Sequence, residues 1–406
     1  MTGIILKKGR EDSLLRFHPW VFSGAVARTE GDVPQEGDVV EVRAWDGRVM
    51  GCGHWQIGSI AVRILCFGAS SLPEGFWEMR LNAALEERKR LSIVSEGVTN
   101  CYRLVHGEGD SLPGLIIDNY DGVCVMQAHS AGMFRAREEI AGALRKVYGS
   151  ELKAVYDKSS GTAPFKAGLD LCDGYLYGDG SDLARDAFVL ENGHRFHVNW
   201  EEGQKTGFFL DQRENRKLVG SHAAGKRVLN LFCYTGGFSI YALAGGALSV
   251  DSVDSSAKAM ALTDRNVVLN GFTTAQGGSE PEAVHHSYCC DALDFLHSSP
   301  EGRYDLMIVD PPAFAKHRGA LHNALRAYQR LNADAIAKVA PGGIIFTFSC
   351  SQAVDRQAFS LAVFSAAAQT GRNVRILARL SQPADHPVSI YHPEGEYLKG
   401  LMLYVE

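Results

Sequence analysis

The sequence predicts an α/β protein whose C-terminal half is a mostly parallel, doubly wound sheet. After Gly225, short apolar runs alternate with helix-like segments, which is typical of strands joined by crossover helices. Polar or glycine-containing turns follow the apolar runs, as expected where parallel strands end at one edge of a sheet. The chain before this point lacks the regular alternation, so we expect smaller modules there.

The composition is that of an ordinary globular protein. The 406 residues are 46% hydrophobic and 22% charged, which suits a soluble chain of two or three domains. No apolar run approaches the roughly 18 residues of a membrane span, and the N-terminus lacks a signal peptide's apolar core. We therefore expect a cytoplasmic protein with no membrane partner.

Charge and cysteine usage exclude some classes of function. The net charge of −6 argues against a strong non-specific nucleic-acid binder, although it allows a local basic face. The nine cysteines are scattered, and the only close pair is adjacent rather than spaced by two. This pattern predicts neither a metal site nor a disulfide framework, and it favours a reducing compartment. The oligomeric state stays open, a homodimer included.

Residues 1–72 are predicted to form a β-barrel-like module. Turn residues separate the short β-like runs Val39–Val42, Val49–Gly51 and Ile60–Leu65. Such a module is too small for a nucleotide-binding α/β sheet and suits a compact barrel.

Residues 73–185 are predicted to form a small central α+β domain. An amphipathic helix is expected over Glu78–Val94, with Glu86–Arg90 as its solvated face and an apolar face made of Met79, Leu81, Leu85 and Leu91. Strands at Leu115–Asp118 and Val123–Ala128 and a helix over Phe134–Val147 are expected next. The polar stretch Gly180–Arg185 is predicted to be a linker.

Residues 186–406 are predicted to form the parallel sheet. Asn192-Gly193 between two apolar runs is a strong hairpin signal. Helices are expected over Ala257–Leu269, Leu321–Val339 and Arg356–Thr370. The predicted strands are Val228–Phe232, Leu248–Val253, Tyr304–Val309, Ile344–Phe348, Val374–Leu380 and Leu401–Val405.

The first strand of this sheet ends in a glycine turn, Asn230–Phe238, that suits a nucleotide-like cofactor. Glycine allows close backbone approach to a ligand. Asp254 ends the second strand at about the 20-residue interval at which an acid meets a ribose hydroxyl, and Asp291 follows the third strand-like run, within reach of an adenine amine. The turn is not GxGxxG, so S-adenosylmethionine, which carries no phosphate, fits better than a dinucleotide. The alternative is an ordinary turn, with Asp254 capping the helix that starts at Ser255.

A carboxylate and a thiol follow two later strands. Asp310-Pro311-Pro312 and Ser349-Cys350-Ser351 both stand where a buried strand ends. Methylation of cytosine carbon 5 requires a thiolate that adds to carbon 6, and a reactive cysteine at an exposed strand end meets that need. Asp310 is placed to hydrogen-bond the ring nitrogen edge of the base.

Simpler interpretations stay open for these residues. A cysteine after a buried strand is most often packing, and Asp-Pro-Pro is also an ordinary strand end. Three other cysteines near the same edge compete as nucleophiles, namely Cys233, Cys289 and Cys290. An enzyme that methylates an adenine amine needs an aromatic ring directly after the two prolines, and Ala313 stands there instead.

Several long motifs of a known family occur in the same order in this chain, which makes a chance similarity improbable. They are Val105–Asp110 with Leu112–Leu115, Gly203–Arg213, Asn230–Phe238, Asp310–Pro312, Phe346–Ser351, Ala384–Pro387 and Pro393–Gly400. On these motifs the chain resembles, over essentially its whole length, the RlmI-type family of large-subunit ribosomal RNA cytosine carbon-5 methyltransferases.

The resemblance implies an N-terminal PUA-type RNA-binding module and a C-terminal Rossmann-like class I methyltransferase fold. It implies S-adenosyl-L-methionine as the donor and a cytosine of 23S ribosomal RNA as the acceptor, with Cys350 as nucleophile and Asp310 as the strand-end acid. The expected cofactor contacts are Asn230, Phe232, Tyr234, Thr235, Gly236, Asp254, Ser255, Asp291 and Ala292, with Gln212 and Arg213 in a motif near the cofactor.

The base pocket is predicted to include Pro311, Pro312, Asp385 and His386. Related enzymes carry a second cysteine, used for product release, at the place of Ala313, so the proton-removing group stays unassigned. Two other functions stay open, which are methylation of a guanine or adenine amine without a covalent adduct, and a non-catalytic role in ribosome assembly as an RNA-binding protein.

Overall fold

The computed structural model describes residues 2–164, 168–180, 188–277, 282–315 and 318–406. The chain forms two compact units. The first comprises Met1–Val189, Val198–Leu210 and Ala384–Gly395, and the second comprises Leu190–His197, Asp211–Pro383 and Glu396–Glu406. None of the helices in the described ranges is both long and apolar enough to cross a membrane.

The first unit begins with a six-stranded sheet in the order β2-β6-β5-β4-β1-β3, as far as the chain is described. The three predicted strands are present, and each extends further than predicted. The strands missed by the sequence pattern are short or largely exposed, so they lack a readable apolar alternation. The six strands are β1 Gly3–Leu6, β2 Trp20–Phe22, β3 Val26–Glu30, β4 Val39–Arg43, β5 Val49–Trp55 and β6 Ile60–Phe67.

A second sheet in the first unit has the order β11-β10-β9-β8-β7 in the described residues. Its strands are β7 Cys101–His106, β8 Leu115–Tyr120, β9 Val123–Ala128, β10 Ala154–Asp157 and β11 Gly174–Tyr177. Helices α2 and α4 cover it with their apolar side chains and form one core with β7, β8 and β9. The helices in the described part of this unit are α1 Asp12–Leu15, α2 Phe76–Arg90, α3 Ala131–Arg135 and α4 Arg137–Tyr148.

The sequence prediction for helix α2 was wrong at three side chains. Met79 and Leu91, assigned to the apolar face, are 52% and 51% exposed. Arg88, assigned to the solvated face, is fully buried. Its guanidinium donates to both carboxylate oxygens of Asp110, at 2.5 and 2.8 Å, and to the backbone carbonyl of Arg103 at 3.0 Å. A local charge pattern does not reveal such a partner, which is why the face was misassigned.

The second unit contains an eight-stranded sheet in the order β16-β17-β15-β14-β18-β19-β21-β20 within the described residues. The strands from β16 to β19 are parallel, whereas β21 pairs antiparallel with both β19 and β20. The strands are β14 Arg227–Leu231, β15 Ser249–Asp254, β16 Thr274–Gln276, β17 His285–Cys289, β18 Tyr304–Val309, β19 Val339–Ser349, β20 Val374–Leu380 and β21 Lys399–Val405.

Helices pack on this sheet through an apolar core that includes β14, β18 and β19. The three predicted helices are present within one residue of their predicted bounds. The helices are α5 Arg213–His222, α6 Gly237–Ala244, α7 Ala257–Leu269, α8 Ala292–Ser298, α9 Leu321–Lys338 and α10 Arg356–Thr370. The mostly parallel α/β prediction is therefore confirmed.

The predicted hairpin is present as β12 Phe188–Glu191 and β13 His194–His197. Its two turn residues, Asn192 and Gly193, have φ of 50° and 82°. Positive φ at both central positions is the type I′ geometry that matches the twist of the flanking strands. Most of the predicted linker, residues 181–185, lies outside the described residues. The domain boundaries after residues 72 and 185 stay predictions.

We expect Arg88→Met to lower the free energy of unfolding by about 3 kcal/mol, because it leaves the Asp110 carboxylate buried without its guanidinium partner. Urea unfolding followed by tryptophan fluorescence measures this loss. The matched control is Lys146→Met, because the Lys146–Glu78 pair is largely exposed and contributes less than about 1 kcal/mol. Equal effects of the two substitutions would contradict the prediction.

Candidate active site

Five parallel strands end at the same edge of the eight-stranded sheet. Their order is β17-β15-β14-β18-β19. The chain first adds β15 and β17 on one side of β14 and then returns to add β18 and β19 on the other side, so the strand order reverses at β14. Such a reversal of strand order is where ligands bind in open α/β sheets. The polar groups predicted from the sequence follow these strands, namely the turn after β14, Asp254, Asp291, Asp310 and Cys350.

The turn after β14 has an unusual backbone. Phe232, Tyr234 and Gly236 have φ of 59°, 48° and 76°. For a bulky aromatic residue this conformation costs about 1–3 kcal/mol and is found mainly at functional sites. The neighbouring helix α7 holds the turn in place, since Thr263 Oγ1 donates to the Tyr234 carbonyl and Asn266 Nδ2 donates to the Thr235 carbonyl, both at 2.9 Å.

Asp254 connects this turn to the end of β15. Its Oδ2 accepts the backbone N–H of Tyr234 at 3.0 Å, and its Oδ1 accepts that of Ser256 at 2.9 Å. The N-cap of helix α7 is Ser256, whose side chain accepts from the Ala259 N–H. The alternative that Asp254 caps a helix starting at Ser255 was therefore wrong, because Ser256 is the cap and the helix begins at Ala257. A carboxylate has about four lone-pair sites, so Asp254 can also accept a ribose hydroxyl. Ser255 is exposed beside it.

Asp291 is the N-cap of helix α8. Its Oδ1 accepts the backbone N–H groups of Leu293 and Asp294 at 2.8 and 3.1 Å. Asp291 is exposed, whereas the next residue, Ala292, is buried in the core. The remaining lone pairs of an exposed carboxylate suit an amine donor.

Asn230 lies in the interior and belongs to a buried polar chain. Its Nδ2 donates to Ser239 Oγ at 2.8 Å, and Ser239 in turn contacts Ser252 at 2.6 Å. The chain continues to His285 Nε2, and burial lowers the pKa of His285 to about 4. This chain of hydrogen bonds, which ends at a neutral histidine, connects helix α6 to strands β14, β15 and β17. The side-chain amide nitrogen of Asn230 therefore supports the interior of the sheet rather than its edge.

Gln212 contacts the strand-end acid directly. Its Nε2 donates to Asp310 Oδ2 at 3.0 Å, and its Oε1 accepts Asn215 Nδ2 at 2.6 Å. Asn215 was not singled out from the sequence, because only the position of Gln212 in the fold shows that it needs an orienting partner. Arg213 lies elsewhere, with its Nε 3.7 Å from the buried carboxylate of Glu191, which also pairs with Arg216.

Cys350 follows β19 directly and is half-buried. Hydrogen bonds hold the residues on either side of it. Ser349 Oγ donates to Tyr328 Oη at 2.9 Å, and Ser351 Oγ donates to the Ala315 carbonyl at 2.6 Å. The second bond ties the segment after β19 to the segment after β18, in which Pro311 is buried and Pro312 is exposed.

The competing cysteines have less suitable surroundings. Cys233 is buried and contacts Met260, and burial raises the pKa of its thiol far above the ordinary value. Burial also raises the pKa of Cys290. Cys289 is exposed, and it is the last residue of β17, which is separated from β19 by three strands. Cys233 and Cys350 both follow neighbours of β18, the strand that precedes Asp310, but Cys233 is buried and Cys350 is only half-buried.

Asp385 and His386 belong to the first unit, whereas Asp310 and Cys350 belong to the second. Both are buried. Asp385 Oδ2 accepts the backbone N–H of Arg103 at 3.0 Å, and the Asp385 carbonyl accepts from Arg88 at 3.0 Å. His386 Nδ1 lies 3.1 Å from Asp385 Oδ1. These contacts give the pair a structural role in the first unit, and their predicted role in the base pocket stays a prediction.

One cluster in the first unit has the residue types of a metal site. Ligand atoms of His18, His392 and Glu394 lie within 4.8 Å of one another. However, His18 Nδ1 accepts the backbone N–H of Trp20 at 3.2 Å, which puts the proton of the neutral ring on Nε2, the atom that faces Glu394. A protonated ring nitrogen has no lone pair for a metal ion, so this arrangement does not favour a metal ligand. The predicted absence of a metal stays a prediction.

Comparison with known proteins decides the family. Residues 171–399 match the model of an S-adenosylmethionine-dependent methyltransferase family, and residues 4–67 match a PUA-like domain. The chain is 40% identical to ribosomal RNA large subunit methyltransferase I of Aeromonas hydrophila over 99% of both chains. It is 41% identical to the Aeromonas salmonicida protein of the same name over 98% of both chains. The chain belongs to the family of ribosomal RNA large subunit methyltransferase I.

Two solved methyltransferase structures have the same fold as this chain. A SAM-dependent methyltransferase from Streptococcus mutans is 24% identical, with a TM-score of 0.81 over 100% of both chains. A methyltransferase solved in complex with SAH superposes with a TM-score of 0.82, also at 24% identity over 100% of both chains. The predicted family, the methyltransferase fold, the PUA-like module and the S-adenosylmethionine cofactor are therefore confirmed.

The chemistry of the edge fits this cofactor. S-adenosylmethionine presents ribose hydroxyls and an adenine amine as donors, together with a sulfonium cation and no phosphate. The edge offers carboxylates at Asp254 and Asp291 and the close backbone of the turn at Tyr234 and Gly236. These residues would hold the cofactor, and each individual contact stays a prediction.

We expect Asp254→Asn to weaken S-adenosylmethionine binding about tenfold or more, because one charge-assisted hydrogen bond contributes about 1.5–3 kcal/mol. Isothermal titration calorimetry measures the affinity. Asp305→Asn is the control, since Asp305 pairs with Arg227 near the beginnings of β18 and β14, at the opposite edge of the sheet. An unchanged affinity of the Asp254 variant would remove Asp254 from the cofactor site.

Proposed function

We propose that this protein methylates carbon 5 of a cytosine in 23S ribosomal RNA through a covalent adduct with Cys350. Membership of the large subunit methyltransferase I family and the PUA-like module support ribosomal RNA as the substrate class. The observation that carries the cytosine assignment is the pairing of a thiol and a carboxylate at the ends of two adjacent parallel strands.

The register of β18 and β19 supports a common location for these two groups. Val309 pairs with Thr347, so Asp310 directly follows the aligned part of β18, and Cys350 follows β19 three residues after Thr347. Adjacent strands are about 4.8 Å apart. A flat pyrimidine ring with its carbon 6 facing the thiol would therefore have the carboxylate near its nitrogen edge.

The reaction follows from these positions. The Cys350 thiolate adds to carbon 6, and the electron pair of the 5,6 double bond makes carbon 5 nucleophilic. Bound S-adenosylmethionine supplies the methyl group that carbon 5 accepts. A base then removes the proton from carbon 5, the double bond re-forms, and the thiolate leaves.

Asp310 has the support that a positioning carboxylate needs. The Gln212 amide donates to one of its oxygens, and Asn215 orients that amide in turn. A carboxylate fixed in this way can accept a hydrogen bond from the amino group of cytosine, and from the ring nitrogen when that nitrogen carries a proton, without reorganising during the reaction. The target base has to leave its stack to reach the edge, which favours a loop or a locally opened helix of the RNA.

The segment after β18 argues against methylation of an adenine amine. The position after the prolines is Ala313, and the next residue, Phe314, packs its ring 4.8 Å from that of Tyr328. A ring used in this contact is poorly placed to stack on a base. Cytosine carbon 5 therefore remains the better assignment.

We expect Cys350→Ala to abolish methyl transfer to RNA while the affinity for S-adenosylmethionine changes less than about twofold, because the sulfur acts on the base rather than on the cofactor. A tritium-release assay measures turnover, and calorimetry measures binding. Cys289→Ala, at an exposed cysteine of the same edge, should keep wild-type turnover. Appreciable turnover by the Cys350 variant refutes the nucleophile.

The wild-type protein is also expected to form a stable covalent complex with RNA that contains 5-fluorocytidine, because fluorine at carbon 5 cannot leave as a proton. Denaturing gel electrophoresis and mass spectrometry detect the complex and identify the modified peptide. Mapping of 5-methylcytidine in ribosomal RNA from wild-type and deletion strains identifies the nucleotide. Unchanged methylation at every cytidine in the deletion strain would exclude this substrate.

A further inference from the structure

A buried lysine lies beside the segment that carries Cys350. Lys399 begins strand β21 and pairs in the antiparallel register with Ser349, the last residue of β19. Only 3% of Lys399 is exposed. Its Nζ donates to the carbonyl of Ser351 at 2.5 Å and to the carbonyl of Tyr397 at 2.6 Å. The ammonium group of Lys399 thus contacts the residue after Cys350, and the backbone of Lys399 pairs with the residue before it.

A buried ammonium is costly, so its retention calls for a physical reason. The two carbonyls compensate part of the lost hydration, but a carbonyl carries no charge. Burial lowers the pKa of Lys399 to about 8, and the negative charge of the Cys350 thiolate acts in the opposite direction. At neutral pH the lysine is therefore protonated in most molecules. Its positive charge interacts with the sulfur, and the interaction is strong because the site is poorly solvated.

Other charged and titratable groups surround the pair. Glu396 raises and Arg356 lowers the pKa of Lys399, and Asp355 raises it. From the facing helix α9, Tyr328 interacts with both Cys350 and Asp310, and burial raises the pKa of Tyr328 to about 12. Tyr328 is therefore neutral at the relevant pH.

Helix α10 is a weaker source of positive potential for the sulfur. It begins at Arg356, six residues after Cys350, and its N-cap is the carboxylate of Asp355, which accepts the Ala358 N–H. A helix dipole acts mainly within its first turn, and a capping carboxylate adds a negative charge there. The lysine donates to the residue next to the cysteine.

We propose that Lys399 is a positioning residue that holds the Ser351 carbonyl and stabilises the thiolate form of Cys350. The thiol loses its proton to water, and the ammonium remains charged beside the sulfur. The role of Lys399 in methyl transfer rests on the proposed function of Cys350 as the nucleophile, but its effect on the thiol does not.

The test measures the ionisation of one thiol. Iodoacetamide reacts with the thiolate, so the alkylation rate of the Cys350 peptide, followed by mass spectrometry between pH 5 and 10, reports the midpoint of its ionisation. Exposed Cys289 serves as the reference within each sample. In the wild type we expect a midpoint below the value of about 8.5 of an ordinary thiol.

Two variants separate charge from shape. Lys399→Met removes the charge at similar length, and we expect the midpoint of Cys350 to rise by about one pH unit or more, which slows alkylation at pH 7 about tenfold. Lys399→Arg keeps the charge and should retain a low midpoint. The control is Lys338→Met, because Lys338 also donates to a carbonyl, that of Ser299, away from this segment.

The outcomes are distinct. A wild-type midpoint at or above that of Cys289, or an equal midpoint in the wild type and Lys399→Met, would overturn the inference, and the wild-type result stands even if a variant fails to fold. A raised midpoint in Lys399→Met with an active Cys350→Ala would uphold it while refuting the proposed nucleophile. An inactive Cys350→Ala with an unchanged midpoint in Lys399→Met would support Cys350 as the nucleophile and refute the role of Lys399.

Discussion

The parallel backbone ladder from β17 to β19 is the constraint on which the candidate site depends. Because five neighbouring strands run in the same direction, their last residues meet at one edge, although they lie up to about 120 positions apart in the chain. The strands are held in this order by their backbone hydrogen bonds and by a core of apolar side chains. Polar groups that follow the last residues of these strands are available at this edge.

Polar groups next to the site depend on a smaller set of oriented contacts. Gln212 holds Asp310, Thr263 holds the turn after β14, and Lys399 holds the segment after Cys350. Each contact uses a side chain from an element outside the strand that it supports. Fixed donors around charged groups reduce the reorganisation that a reaction requires.

Much of the fold was predictable because its signals are local. The turn Asn192-Gly193, the helix over Ala257–Leu269 and the apolar run of β18 all match the structure closely. Helix α2 shows the limit of such reasoning, since Arg88 lies among exposed charged neighbours in the sequence and is fully buried in the fold. Its partners, Asp110 and the Asp385 carbonyl, are 22 and 297 residues away.

For the site, the sequence alone determined which groups end the strands: the turn residues, Asp254, Asp310 and Cys350. Strand ends are readable because a buried apolar run stops where polar residues begin. Only the tertiary structure decided that β18 and β19 are neighbours, that Gln212 reaches Asp310, and that Asp385 is buried in the other unit. Strand order, burial and long-range hydrogen bonds arise from the packing of segments that are distant in the sequence. A pattern of residues along the chain does not show which of these segments lie close together in space.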